Sequence, residues 1–341
     1  MSSPFVVIVA LVVWVLSIST SVGQSQDEGP IIPVLPRHPV LPSTDATPAQ
    51  VALGRELFFD VRLSRDNTIS CASCHDPKKG WADGRKVADG IYGKKGQRNV
   101  PTIVGSKHSP LLFWDGRARS LEEQIRQPIE NPIEMDLPLA QLVTKLSKEA
   151  TYDASFKVAF DESITEANVI GALAAFVRTV NSGKAPFDRY REGDLNAMSD
   201  AARRGHDVFF FRSNCSTCHR APLFTDHEFH NLGVGLQAPS TEEDARTVNL
   251  KEDQGRFLIS KNELDRHAFK TPSLRDVHLT APYMHNGQFK TLREVVDFYA
   301  EGGTMNPRLD PLMNAIPLNS QERDDLVQFL KEGLASENYP D

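Results

Sequence analysis

The sequence predicts an all-α protein built from two similar helical halves. Three observations carry this. A cysteine motif occurs twice, as "NTISCASCHDP" (67–77) and as "NCSTCHRAP" (214–222). Each copy follows a stretch with one shared pattern, glycine, three residues, then two phenylalanines: "GRELFF" from Gly54 and "GHDVFF" from Gly205. Each is followed, after a long irregular insert, by an amphipathic stretch. "ALAAFVRTV" sets Leu173, Phe176 and Val177 on one helical face, and "DLVQFLKEG" does the same with Leu326, Phe329 and Leu330. Units that return in the same order indicate a duplicated domain. No period-two run of β-branched residues is long enough to promise a sheet.

A chain of 341 residues suits two domains and can bury a sizeable core. With 45 acidic and 38 basic residues its formal charge is −7, and no Lys/Arg run breaks the mixture, so nucleic acid is excluded as a partner. "GIYGKKG" (Gly90 to Gly96) is glycine-rich but is neither a nucleotide-binding P-loop nor a dinucleotide fingerprint. Phe5 to Leu16 carries no charge, and Ser21 and Gly23 fit cleavage after Gly23, so residues 1–23 read as an export signal. No Lys or Arg precedes the apolar run, which leaves an uncleaved anchor as the alternative. No cysteine lies near the cut, against a lipoprotein. Prolines 30, 33, 36, 39 and 42 match the three-residue repeat of polyproline II, so residues 24–46 read as a stiff tether. Thr47 as N-cap, Pro48 at the first helical position and Gln50 as capping-box partner then open a helix to about Phe59. The expected domains are 47–196 and 197–341.

Cys-x-x-Cys-His is the attachment signature of c-type haem. Cys71 and Cys74, and again Cys215 and Cys218, would bond the haem vinyl groups, and His75 and His219 would reach the two irons as proximal ligands. A four-cysteine zinc site is the competing reading, but zinc ribbons place their pairs about fifteen to twenty residues apart, not in opposite halves of a chain. A two-residue gap makes a poor structural disulfide and a common redox one. Two c-type haems use all four cysteines. Export agrees, because bacteria attach haem covalently outside the cytoplasm, which points to the periplasm.

Two longer segments carry a resemblance. "FWDGRARSLEEQIRQPIENPIEM" (Phe113 to Met135) resembles the region after the first haem of bacterial di-haem cytochrome c peroxidases and of the MauG branch of that family. "TAPYMHNGQFKTLREVVDFY" (Thr280 to Tyr299) resembles the segment after their second haem. The resemblance spans roughly residues 47 to 335. It implies two cytochrome c-like domains, a peroxidatic haem in the first and an electron-transfer haem in the second. It also assigns roles. Trp114 matches the tryptophan between the haems, where an oxidisable indole lets an electron hop; by itself it reads as a core tryptophan over an Asp-Gly turn. Glu134 matches the acid on the open side of the first haem, able to move a proton between the peroxide oxygens. Gln124 and Pro128 match the amide and the proline of that pocket. Alone, these three read as a surface charge and ordinary helix residues.

In many relatives a histidine after the first motif blocks the first iron until half-reduction. Here no histidine lies between Asp76 and Lys107, so the resemblance implies an open iron; His108 lies outside the matched position. At the second iron those peroxidases use a methionine at a fixed distance beyond the histidine of "PYxHxG". That distance from His285 lands on Tyr299, as in MauG. A thioether stabilises reduced iron, whereas a phenolate favours Fe(III) and higher states. Met305 and Met313, in the following loop, are the alternatives. A calcium ion is implied between the domains, held by Asn99 and the carbonyls of Thr280 and Pro282; oxygen ligands suit a hard cation.

The expected function is a periplasmic, MauG-like di-haem peroxidase. It reduces H2O2 at the first haem with electrons relayed from the second, where a protein donor or protein substrate docks. An ordinary cytochrome c peroxidase with a small redox protein as donor is the second reading. A non-catalytic di-haem electron carrier is the third.

Overall fold

Helix α1 (Pro48–Phe59) starts where its cap is written. Thr47 Oγ1 accepts from Gln50 N at 3.2 Å, and Gln50 Oε1 accepts from Thr47 N at 2.9 Å. Both orphan donors are thereby satisfied, and Pro48 has none to lose. The computed structural model describes Met1 and residues 46–237 and 252–339. The expected signal and tether therefore lie outside the described residues. Among the described residues, no helix is long and apolar enough to cross a membrane.

The first half continues through α2 (Leu121–Glu130), α3 (Leu139–Leu146), α4 (Ala150–Phe160) and α5 (Glu166–Val177). After α6 (Pro186–Arg191), the second half runs through α7 (Asp200–Asp207), α8 (Cys215–Cys218), α9 (Phe257–Ser260), α10 (Leu292–Ala300) and α11 (Ser320–Gln328). Helices α7 and α11 each run on into one wider turn, Val208–Arg212 and Phe329–Gly333. The only ladder among the described residues is a ribbon of β1 (Phe229–His230) and β2 (Phe269–Lys270), antiparallel with Phe229 opposite Lys270. All described residues from 46 onward belong to one compact unit.

The duplicated glycines explain the duplicated pattern. A Cβ on Gly54 of α1 would lie 1.9 Å from the Ala172 carbonyl oxygen of α5. A Cβ on Gly205 of α7 would lie 1.9 Å from the Asp325 carbonyl oxygen of α11. Glycine lets each helix pair cross backbone to backbone, and the phenylalanines that follow close the joint. Phe58 packs on Phe176 with ring centroids 5.2 Å apart, and Phe209 packs on Phe329 at 5.4 Å. Gly54→Ala or Gly205→Ala is expected to lower stability by roughly 1–3 kcal/mol through overpacking, despite about 1 kcal/mol of helix propensity gained. Thermal unfolding checks this; an unchanged midpoint would mean that the helices part without cost.

Buried ion pairs join distant segments. Arg98 reaches Asp115 at 2.7 Å and Asp253 at 2.6 Å, and Arg275 holds Asp188 at 2.6 and 2.7 Å. Removing one partner of such a pair leaves a buried charge uncompensated.

Candidate active site

Each cysteine motif is wound into one helical turn. His75 N donates to Cys71 O at 2.9 Å, and His219 N donates to Cys215 O at 2.9 Å. A spacing of three residues sets both thiols of a pair on one face of the turn, with the histidine next in line. The histidines are fixed alike: His75 Nδ1 lies 3.0 Å from Trp81 O, and His219 Nδ1 lies 3.0 Å from Phe224 O. A carbonyl only accepts, so Nδ1 carries the proton and Nε2 keeps its lone pair for a metal. Burial pushes both imidazoles below the usual histidine range, which keeps them neutral and ligand-ready.

The thiols are the wrong kind for dithiol redox chemistry, which needs a lowered pKa. Burial pushes Cys71 up to about 12 and Cys74 up to about 11, and it raises Cys215 as well. All four are unpaired. A four-cysteine zinc centre is also excluded. The one metal-like trio among the described residues is Cys218, Asp226 and His230, within 4.8 Å of one another, and its sulfur belongs to the second motif.

Both motifs open into one cavity of about 820 Å³. Its wall includes Cys71, Cys74, His75, Cys215, Cys218 and His219, together with Trp114, Gln124, Pro128, Glu134 and Tyr299. Neutral thiols in one-turn pairs, a neutral imidazole behind each and this shared volume fit two covalently held haems.

Helix α2 presents Gln124 and Pro128 to the cavity, four residues apart on one face. Ser120 caps the helix by accepting from Glu123 N at 3.1 Å. Glu134 sits just beyond this helix. Asn131 Nδ2 donates to its Oε1 at 2.8 Å, and Ile91 N donates to its carbonyl at 2.8 Å. Gly90 makes that approach possible, since a Cβ there would lie 1.8 Å from Ile133 O; this is the role of the "GIYGKKG" loop. Burial pushes the Glu134 carboxyl above the ordinary glutamate value, while the Asn131 bond and the Arg117 charge pull against it.

Trp114 is half-buried on the cavity wall rather than inside the core, against the core-filler reading. Its Nε1 donates to Asn99 O at 2.9 Å, and its own carbonyl accepts from Lys270 N at 2.8 Å. Asp115 next to it is held by Arg98 at 2.7 Å and by Arg117 at 3.0 Å.

Tyr299 lies on α10. Burial pushes its phenol well above the ordinary tyrosine value, and any charge on Cys215 or Cys218 adds to this, so it sits beside the second motif. Met313 also lines the cavity, whereas Met305 is 64% exposed and off the wall. His108 lies on the turn Ser106–His108, likewise off the wall. Asn99, Thr280 and Pro282 line the cavity too, and Asn99 Nδ2 donates to Arg85 O at 2.8 Å, leaving the amide oxygen for a cation.

Sequence reasoning missed a charged group at the second site. His230 lies between Asp226, 3.1 Å from Nε2, and Asp310, 2.6 Å from Nδ1. The carboxylates of Asp226 and then Asp310 hold its pKa above the usual histidine range. "DHEFH" sets Asp226 four residues before His230, but nothing in the sequence marks Asp310 as its other partner. His285, the sequence landmark of the second segment, stacks on Phe269 at 3.5 Å between centroids, a contact the sequence does not mark.

Residues 48–196 match the sequence model of the di-haem cytochrome c peroxidase family. The chain is 41% identical over 287 residues to "Methylamine utilization protein MauG" of Methylorubrum extorquens, covering 84% of this chain and 78% of that one. The chain belongs to the di-haem cytochrome c peroxidase family. It is also 35% identical over 340 residues to "Cytochrome-c peroxidase IdrP1" of a Pseudomonas species, covering 93% and 89%. A solved MauG-like protein associated with microbial copper homeostasis superposes with a TM-score of 0.79 at 34% identity, covering 92% of this chain and 96% of that one. As a member of this peroxidase family the chain is a haem enzyme acting on H2O2. Relatives named MauG and relatives named cytochrome-c peroxidase both match the chain over most of their length.

Proposed function

We propose that this peroxidase reduces H2O2 in the pocket of Gln124, Pro128 and Glu134, with electrons relayed past Trp114 from a second haem held by His219 and Tyr299. The observation that carries this is the single cavity whose wall joins both cysteine motifs, Trp114, Glu134 and Tyr299. The bound haem irons supply the redox centres. The chain supplies the rest. His75 and His219 hold the irons through Nε2. Glu134 takes a proton from one peroxide oxygen and returns it to the other. Gln124 orients the peroxide with its amide. Trp114, fixed by Asn99 O, offers an indole on the route between the two sites. Asn99, Thr280 and Pro282 hold a calcium ion beside it.

The MauG-like reading follows from Tyr299, whose phenolate favours the more oxidised states of the second iron. The donor then need not enter the peroxide pocket, and a protein reductant or protein substrate docked near the second haem suffices. Met313 on the same wall supports the second reading, an ordinary cytochrome c peroxidase. Covalent haem attachment supports a periplasmic location, and the duplicated pattern supports two domains, 47–196 and 197–341.

The resting oxidised protein is expected to consume H2O2 without prior half-reduction and to lack the far-red absorption of a methionine-ligated ferric haem. Tyr299→Met is expected to create that band and to speed turnover with a small redox protein. A methionine band in the unmodified protein would promote Met313 instead. A need for half-reduction would reveal a blocking ligand at the first iron.

A further inference from the structure

The two halves hold their histidines identically, with one chemical difference. Trp81 and Phe224 give the carbonyls that accept from His75 and His219, and both adopt a left-handed backbone, with φ of 54° and 55°. Both side chains are fully buried. Trp81 lies 5.7 Å from Phe58 and 6.0 Å from Phe176; Phe224 lies 5.8 Å from Phe209 and 6.3 Å from Phe329. Those phenylalanines are the matched pairs of the two helix crossings. Backbone, hydrogen-bond partner and the phenylalanine pair of the crossing are therefore shared; the ring changes from an indole to a phenyl, and Phe224 alone also meets Phe187 at 4.9 Å and the Arg275 guanidinium at 5.2 Å.

Packing does not demand the indole, because phenylalanine fills the equivalent place in the second half. An indole loses an electron far more readily than a phenyl ring. Asp83, 2% exposed and two residues further on, lies within electrostatic reach of His75, so a positive charge on this side meets a fixed negative one.

We propose that Trp81 is an oxidisable residue of the first site, on the side of His75, distinct from Trp114. The proposal rests on the peroxide chemistry above. Reducing H2O2 to two waters takes two electrons and two protons. When the second haem has not delivered, the protons come from solvent, the first haem would give one of those electrons, and the other would come from the Trp81 indole. It becomes a cation radical that keeps its Nε1 proton. The external donor of the peroxidase reaction later returns the electron. Phe224 gives the second site no such reserve.

The test is freeze-quench EPR of the two-haem protein after H2O2 is added without donor, with ordinary and with indole-deuterated tryptophan. An organic radical that narrows on deuteration is expected in the unmodified protein and in Trp114→Phe, and is expected to be lost in Trp81→Phe. A radical that survives Trp81→Phe, or none in the unmodified protein, overturns the proposal. If Trp81→Phe loses a haem, Trp81→Tyr decides: a tyrosine-type radical supports the assignment, and an unaltered tryptophan signal overturns it. The haem absorption recorded alongside separates the two readings. If peroxide leaves it unchanged, the proposed peroxide chemistry falls and this inference with it. If it changes while the radical ignores position 81, only this inference falls.

Discussion

Replacing Cys71 and Cys74 with alanine is expected to leave one covalent haem per chain, and replacing Cys215 and Cys218 to leave the other. Intact mass and pyridine haemochrome absorption measure this directly. Losing the first haem should abolish peroxide reduction; losing the second should starve it of electrons. Stability should fall as well. The cavity of about 820 Å³ is shared by both haem sites, so one loss vacates about half of it, which, left dry, would cost roughly 10 kcal/mol at about 24 cal/mol per Å³. That is comparable with the ~5–15 kcal/mol net stability of a typical fold. The pocket of a lost haem must therefore flood or collapse, and the single-haem proteins should melt well below the parent. A parent protein with zinc in place of haem would sink the assignment.

Glu134→Gln is expected to slow peroxide cleavage by roughly 10²–10⁴-fold, the range of one acid–base group. The amide keeps the shape and removes the base. The pH dependence has a definite sign. Burial raises the Glu134 carboxyl above 4.5, so its base form is lost as pH falls through this raised value. The acid limb of the rate should then lie at higher pH than an ordinary glutamate would give, and it should vanish in the glutamine variant. Asn131→Ala removes the donor to Oε1, which pulls the pKa down, so the limb should move higher still. Stopped-flow peroxide decay across pH reads both effects. An unchanged rate in Glu134→Gln would move the proton transfer to another group.

The duplicated fold was legible because its physics is local. Gly54 and Gly205 stand where two backbones touch, and only glycine permits the approach, so the pattern shows in the letters. The capping box at Thr47 is equally local. The later helices were legible at their apolar cores, while their ends carried no signal that had been read. Helix α5 starts at Glu166 because Thr165 accepts from Asn168 N, and the turn after Gln328 widens into a five-residue turn ahead of Gly333. The small ribbon of β1 and β2 was missed, since two-residue strands carry no alternation to read. Within the site, Cys-x-x-Cys-His announced itself, while Trp114, Gln124, Pro128 and Glu134 needed the family pattern, and the cavity wall then gathered them. The carbonyls of Trp81 and Phe224 were invisible, because main-chain groups have no sequence signature. The Arg98–Asp253 pair and the Asp310 partner of His230 were hidden for another reason: the sequence gives the sign of each charge but not its partner 155 or 80 residues away.

Both histidines meet a carbonyl, so the reduction potentials of the two haems would be set apart by the groups opposite. A histidine whose Nδ1–H faces a carboxylate becomes a stronger donor to iron than one facing a neutral carbonyl. Here both face a carbonyl at 3.0 Å. Each also has one carboxylate within electrostatic reach, Asp83 for His75 and Asp226 for His219. Each of those carboxylates is in turn held by one cation, Arg85 at 2.9 Å and His230 at 3.1 Å. The duplication would thus give the two irons similar support from the histidine side, apart from the indole at Trp81 and the His230 charge that acts on His219 alone. The group opposite would then decide which centre does chemistry and which stores electrons, so a single substitution at residue 299 is expected to retune half of the enzyme while leaving its scaffold alone.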